Sequence, residues 1–172
     1  MSIFTQIAAE LGPILVDGVR TEILAQGHKL TGSLLKSVEA RVKELATGAQ
    51  VQIWLNDYGV PLNTGVPAQN IPYTAGSGAT STAYIQGLIL YARLRFRVPI
   101  SEAKSIAFAI ANKHKAEGMP TKASRRFSST GKRTEFLQEA QQRTAPDVEA
   151  AIEQAIERAV VDVFAVLTEA RF

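Results

Sequence analysis

The chain contains no cysteine, which excludes disulfides, a thiol nucleophile and thiolate metal ligands, and fits a reducing compartment. Histidine is almost as scarce. His28 and His114 stand far apart, each beside lysine and without partners at metal-ligand spacing, so both are expected at the surface, with no metal or other cofactor. No apolar run approaches the roughly 18–20 residues needed to cross a bilayer, and no membrane partner is expected. The start, Met1-Ser2-Ile3-Phe4-Thr5-Gln6, has no basic lead into a pure apolar stretch and soon meets Glu10, so it does not read as a secretory leader.

Motifs that carry chemistry are missing as well. No G-x-S-x-G elbow marks a nucleophile. Gly76-Ser77-Gly78 lacks the spacing of a phosphate loop and reads as a flexible linker. Glu153 and Glu157 lie one helical turn apart, but Arg158 and the apolar stripe beside them make a solvated face the better reading, so no catalysis is expected.

The middle of the chain lacks acid. Residues 93–133 hold eleven of the nineteen Lys and Arg residues but only Glu102 and Glu117, a net charge of +9, while the remainder nets −6. A cluster of this kind neutralises phosphates whatever the base sequence, so a polyanion partner is one reading and a solvated basic face the other. At 172 residues, 46% of them hydrophobic, the chain is expected to be one globular domain.

Periodicity outlines the elements. Ile3, Phe4, Ile7, Ala8 and Leu11, then Ile14, Leu15, Val19, Ile23 and Leu24, predict an N-terminal helix kinked or divided at Gly12-Pro13 and stopped at Gly27. Thr31-Gly32-Ser33 precedes a short helix over Leu34 and Leu35. Val38, Ala40 and Val42 alternate with Glu39, Arg41 and Lys43, and Val51, Ile53 and Leu55 repeat the period after Thr47-Gly48, which predicts an antiparallel pair with Gln52 and Asn56 facing outward. Gly and Pro crowd residues 56–82, read as a long loop. A helix follows from Tyr84 through Leu88, Tyr91 and Leu94, ended by Val98-Pro99, and another capped by Ser101 with Ala103, Ala107 and Ala111 inward. Residues 119–133 read as a second open, basic loop. A short helix around Phe136, Leu137 and Ala140 then precedes a long amphipathic one from Pro146 to Ala170, striped by Val148, Ile152, Ile156, Val160, Val163 and Leu167. Aromatic residues punctuate the basic segment; Tyr91 and Phe108 sit on apolar helix faces and are expected in the core, whereas Phe127 lies in the open loop.

The order of these pieces carries a resemblance. The helix leading to Leu30-Thr31-Gly32-Ser33-Leu34-Leu35-Lys36-Ser37, Tyr58-Gly59 before the Pro/Gly-rich loop, and the late Thr130-Gly131-Lys132-Arg133-Thr134-Glu135-Phe136-Leu137 resemble tailed-bacteriophage neck, head–tail connector and tail-completion proteins. That family's pattern has Thr-Gly-x-Leu-x-x-Ser running into a strand, an aromatic-Gly before an extended loop, and an aromatic-Leu ahead of an alanine-rich helix. The resemblance implies an α+β fold with a small antiparallel sheet packed by a long N-terminal helix and several C-terminal helices. It implies a structural virion protein, assembled in the host bacterial cytoplasm into a homo-oligomeric ring that joins portal to tail and leaves a channel for double-stranded DNA. On that basis Lys122, Arg125, Arg126, Lys132 and Arg133 become candidates to face DNA or a partner. Tyr58, Pro61, Pro67, Pro72, Tyr73 and Phe127 become candidates on loops that order during assembly. The alternative is a cytoplasmic nucleic-acid-binding protein using residues 93–133; an enzyme acting on an acidic substrate would need a convergent polar pocket that the sequence does not reveal.

Overall fold

A computed structural model describes residues 2–76 and 82–169, side chains at 163 and 166–169 excepted. Ser77 and Gly78 of the linker, the side chains of Val163 and Leu167, and Ala170 therefore lie outside the described residues. The fold is α+β. It comprises helices α1 (Ile3–Ala25) and α2 (Ser33–Ser37), strands β1 (Glu39–Leu45) and β2 (Gly48–Trp54), and helices α3 (Gly59–Thr64), α4 (Ala83–Phe96), α5 (Ile100–Glu117) and α6 (Phe136–Glu169). No helix among the described residues is long and apolar enough to cross a membrane.

Cα packing resolves two compact units that the sequence reading did not distinguish: Met1–Glu22, Ser37–Asn56 and Phe136–Phe172 form the first, Ile23–Lys36 and Asp57–Glu135 the second. In the first, α1 runs antiparallel to α6, as ion pairs from Glu10 to Arg158 and from Glu22 to Arg143 require. Gly18 makes the close approach possible, since a Cβ there would lie 2.3 Å from the Thr144 methyl carbon. Phe136, Ala140, Val19 and Val38 are buried in this unit. The expected antiparallel pair forms, with Ala40 opposite Ile53 and Val42 opposite Val51. Ala40 meets α1 at Gly12, where a Cβ would come within 3.1 Å of its own.

Several expectations change here. α1 is one helix with Pro13 inside it, and α6 likewise continues through Pro146 instead of dividing there. The residues flanking Pro146 are exposed, so the carbonyls that a helical proline frees meet water. Gln52 is half-buried like Val51 and Ile53, and its amide donates to Gln50 along the same strand, so the inside–outside contrast drawn from alternation does not hold at that position. A lone two-stranded ribbon has too little surface to cover one face completely.

The second unit has its own core, in which Ala103, Ala107 and Ala111 of α5 meet Ile85, Ile89 and Ala92 of α4. Alanine at every fourth position leaves no side chain to hold the helices apart. The buried face of α4 is therefore set one residue from the expected stripe, with Leu94 exposed. Thr82 caps α4 by accepting the Ile85 N–H, and α5 begins at Ile100 after Pro99, without Ser101 as its cap.

The described part of the Gly- and Pro-rich segment, residues 56–76, is less open than its composition implies. It includes α3 and a 3-10 turn at Ala68–Asn70, and Ile71 and Tyr73 enter the core, Tyr73 against Phe108 at 6.4 Å between ring centres. Residues 119–133 are similarly tied: Met119 exchanges two backbone hydrogen bonds with Val66, Lys122–Phe127 forms a 3-10 turn, and the hydroxyls of Ser128 and Ser129 donate to the last carbonyl of α1, Ala25. Tyr73 is thus a core residue, not an exposed loop aromatic.

Candidate functional site

The unit boundaries divide the charge. Segments of the first unit hold six basic residues against twelve acidic ones, a net −6, whereas those of the second hold thirteen against four, a net +9. Within the second unit the basic residues do not form an even coat. Glu117 is occupied on one side by Lys113, at 2.9 Å, and on the other by the backbone N–H of Lys122, at 3.0 Å, which hold its carboxyl below the ordinary range.

Two arginines lie against Phe127. This ring closes the Lys122–Phe127 turn and is 44% exposed, with the Arg126 guanidinium 4.8 Å and the Arg95 guanidinium 5.5 Å from its centre. Such cation–π contacts hold long arginine side chains against an aromatic face. Arg133 joins from the other end of the segment: its Nη1 lies 3.0 Å from where a Cβ on Gly27 would stand, and the Phe127 carbonyl oxygen is 2.2 Å from that same point. Its Nε is buried without a hydrogen-bond partner. Burial and the nearby Arg95 charge lower its pKa, against an opposing pull from Tyr91. Among the described residues no carboxylate pairs with Arg95, Arg126 or Arg133.

Of the five basic candidates, Arg126 lies against the Phe127 ring and Arg133 near Gly27 and the Phe127 backbone; Lys122 lies by Glu117, and Arg125 and Lys132 are exposed. Arg133 is half-buried, unlike the freely exposed loop residue its setting in sequence implies. Arg95 was missed because its helical spacing places it on a stripe with Tyr91 and Leu88; its proximity to residues thirty positions onward has no local sequence signal. Of the loop candidates, Phe127 belongs to the cluster, Tyr58, Pro67 and Pro72 are exposed, and Pro61 lies within α3.

Both histidines are only partly accessible rather than surface residues. His28 Nε2 donates to the Arg133 carbonyl at 3.1 Å, and Tyr84 donates its hydroxyl to His114 Nδ1 at 2.7 Å. Burial foremost, and then the Arg133 charge, lowers His28 from 6.5 to about 4; burial also lowers His114, and burial and Tyr73 push Tyr84 up to about 12. Because the folded histidines bind protons less readily than the unfolded ones, stability is present above pH 6.5 and is lost as pH falls from there toward 4. Allowing for partial exposure, His28 contributes on the order of 1–2 kcal/mol of that loss. The melting temperature should fall between pH 7 and pH 4.5, and less steeply in His28→Gln, which keeps a donor at the Nε2 position; equal slopes would remove His28 from the pH dependence. No group of His, Asp and Glu suited to a metal ion occurs among the described residues.

No family model matches the chain, and comparison with curated protein sequences and with solved structures yields no significant match.

Proposed function

We propose that the chain is a structural virion protein of a tailed bacteriophage, a ring subunit at the head–tail junction that joins the portal to the tail and leaves a channel for double-stranded DNA. The observation that carries this reading is the division of charge into two units, net −6 and net +9. A subunit with one acidic and one basic unit has what a ring around a genome needs: a basic unit that tolerates phosphates and an acidic one that does not bind them.

The sequence elements that resemble the family also have definite local work. Gly32 takes a left-handed conformation, with φ of 77°, before α2; Leu34 is buried; and the Ser37 hydroxyl accepts the Asn56 N–H at the open end of the hairpin. Gly59 is buried at the start of α3, and Phe136 is completely buried at the start of α6. These roles support a shared architecture. Assembly takes place in the host bacterial cytoplasm, and the chain's final location is the virion.

Removing the chain from an infecting phage tests the proposal. Filled heads and finished tails should accumulate unjoined, and supplying the chain in trans should restore joined particles. Joined, infectious particles made without it would contradict the proposal, and they are the expected outcome if it is instead a cytoplasmic nucleic-acid-binding protein.

A further inference from the structure

The guanidinium groups of Arg95 and Arg126 share the Phe127 ring and the Arg95 charge also acts on Arg133, all without a carboxylate, so this like charge is offset only by solvent or an anion. Arg133 is fixed by its backbone bond to His28 and by its position over Gly27. All three are arginines, whose forked donors match the oxygens of a phosphate better than a lysine point charge does. Arg133 brings a further feature, a buried Nε–H with nothing to bond. An oxyanion seated among Arg95, Arg126 and Arg133 would relieve the repulsion.

We infer that Arg95, Arg126 and Arg133, arranged around Phe127, form a phosphate-binding site that seats a phosphodiester of nucleic acid. The site rests on the reading of the basic unit as the side that meets the genome, but it is complete within one chain and needs no ring. Neighbouring Arg93 and Arg97 extend positive charge beyond a single anion, which suits a backbone of repeating phosphates better than an isolated one.

Binding of a fluorescein-labelled 20-base-pair duplex to the full-length free chain, followed by anisotropy across a salt series, tests the site. The variant pair Arg95→Gln with Arg126→Gln is compared with Lys122→Gln with Arg125→Gln, which removes the same charge outside the cluster. The cluster variant should lose roughly tenfold or more in affinity and flatten the salt slope by about one to two, whereas the control pair should lose under about threefold. Arg133 is half-buried, so its substitution risks the fold, and it is read instead through its Nε–H resonance in the unaltered chain. That resonance should move on adding duplex, and on adding inorganic phosphate only at far higher concentration.

Equal losses in the two variant pairs would reduce the effect to bulk charge and overturn the inference. So would an unmoved Arg133 signal, saturation by inorganic phosphate at the same concentration as duplex phosphate, or competition by polyglutamate as effective as by duplex, which would indicate a protein carboxylate partner. Failure in any of these ways leaves the junction ring standing, because heads and tails still join or fail to join independently of this site.

Discussion

Gly27→Ala should destabilise the protein by about 2–5 kcal/mol and lower its melting temperature by roughly 5–20 °C. Gly27 ends α1 in a left-handed conformation, with φ of 71°, its N–H bonding Leu24 and the following His28 N–H bonding Ile23. This pair of bonds is the Schellman arrangement, which satisfies carbonyls that a helix end leaves open. Alanine meets two penalties there: the left-handed backbone, and a Cβ 2.2 Å from the Phe127 carbonyl oxygen. The obstacle is backbone, so no rotamer change relieves it. Because the displaced segment carries Phe127, duplex affinity should fall together with stability. A variant melting within 2 °C of the wild type would contradict this geometry.

Gly18→Ala should change sign with its surroundings. In the native chain the new methyl would stand 2.3 Å from Thr144 Cγ2, with every other contact at ordinary separation, so overpacking costs about 1–3 kcal/mol. The Thr144 side chain is held in place, since its hydroxyl donates to the Ala140 carbonyl at 2.9 Å. Thr144→Ser removes the obstructing methyl and keeps that bond. In the serine background the same Gly18→Ala change should become neutral or stabilising by up to about 1 kcal/mol, because alanine favours a helix interior over glycine by that amount. Chemical denaturation of the four variants in a double-mutant cycle measures the difference. An identical cost in both backgrounds would mean that α1 and α6 do not meet through these two residues.

Local physics made much of this fold legible. The period-two alternation marked the antiparallel hairpin, Ala103, Ala107 and Ala111 specified the buried face of α5, and Gly27 marked the end of α1. Long-range packing was not legible. Ile71 and Tyr73 are single apolar residues among prolines and asparagines, with no period to mark them, yet they anchor their segment in the core. Pro146 reads as a helix start because proline disfavours helix interiors, but the packing of α6 along α1 on both sides of it overrides that local preference. The candidate site was half visible: Arg126 and Arg133 stand out in a basic loop, whereas Arg95 joins them only once α4 and the Lys122–Phe127 turn are folded.

The junction ring is tested most directly by a density map of the intact phage particle at side-chain resolution. The chain should appear in several copies as a closed ring between portal and tail, with Arg95, Arg126 and Arg133 on the side facing the DNA channel. Its absence from the particle, or its presence only in the capsid shell or at the tail tip, would contradict the proposed function.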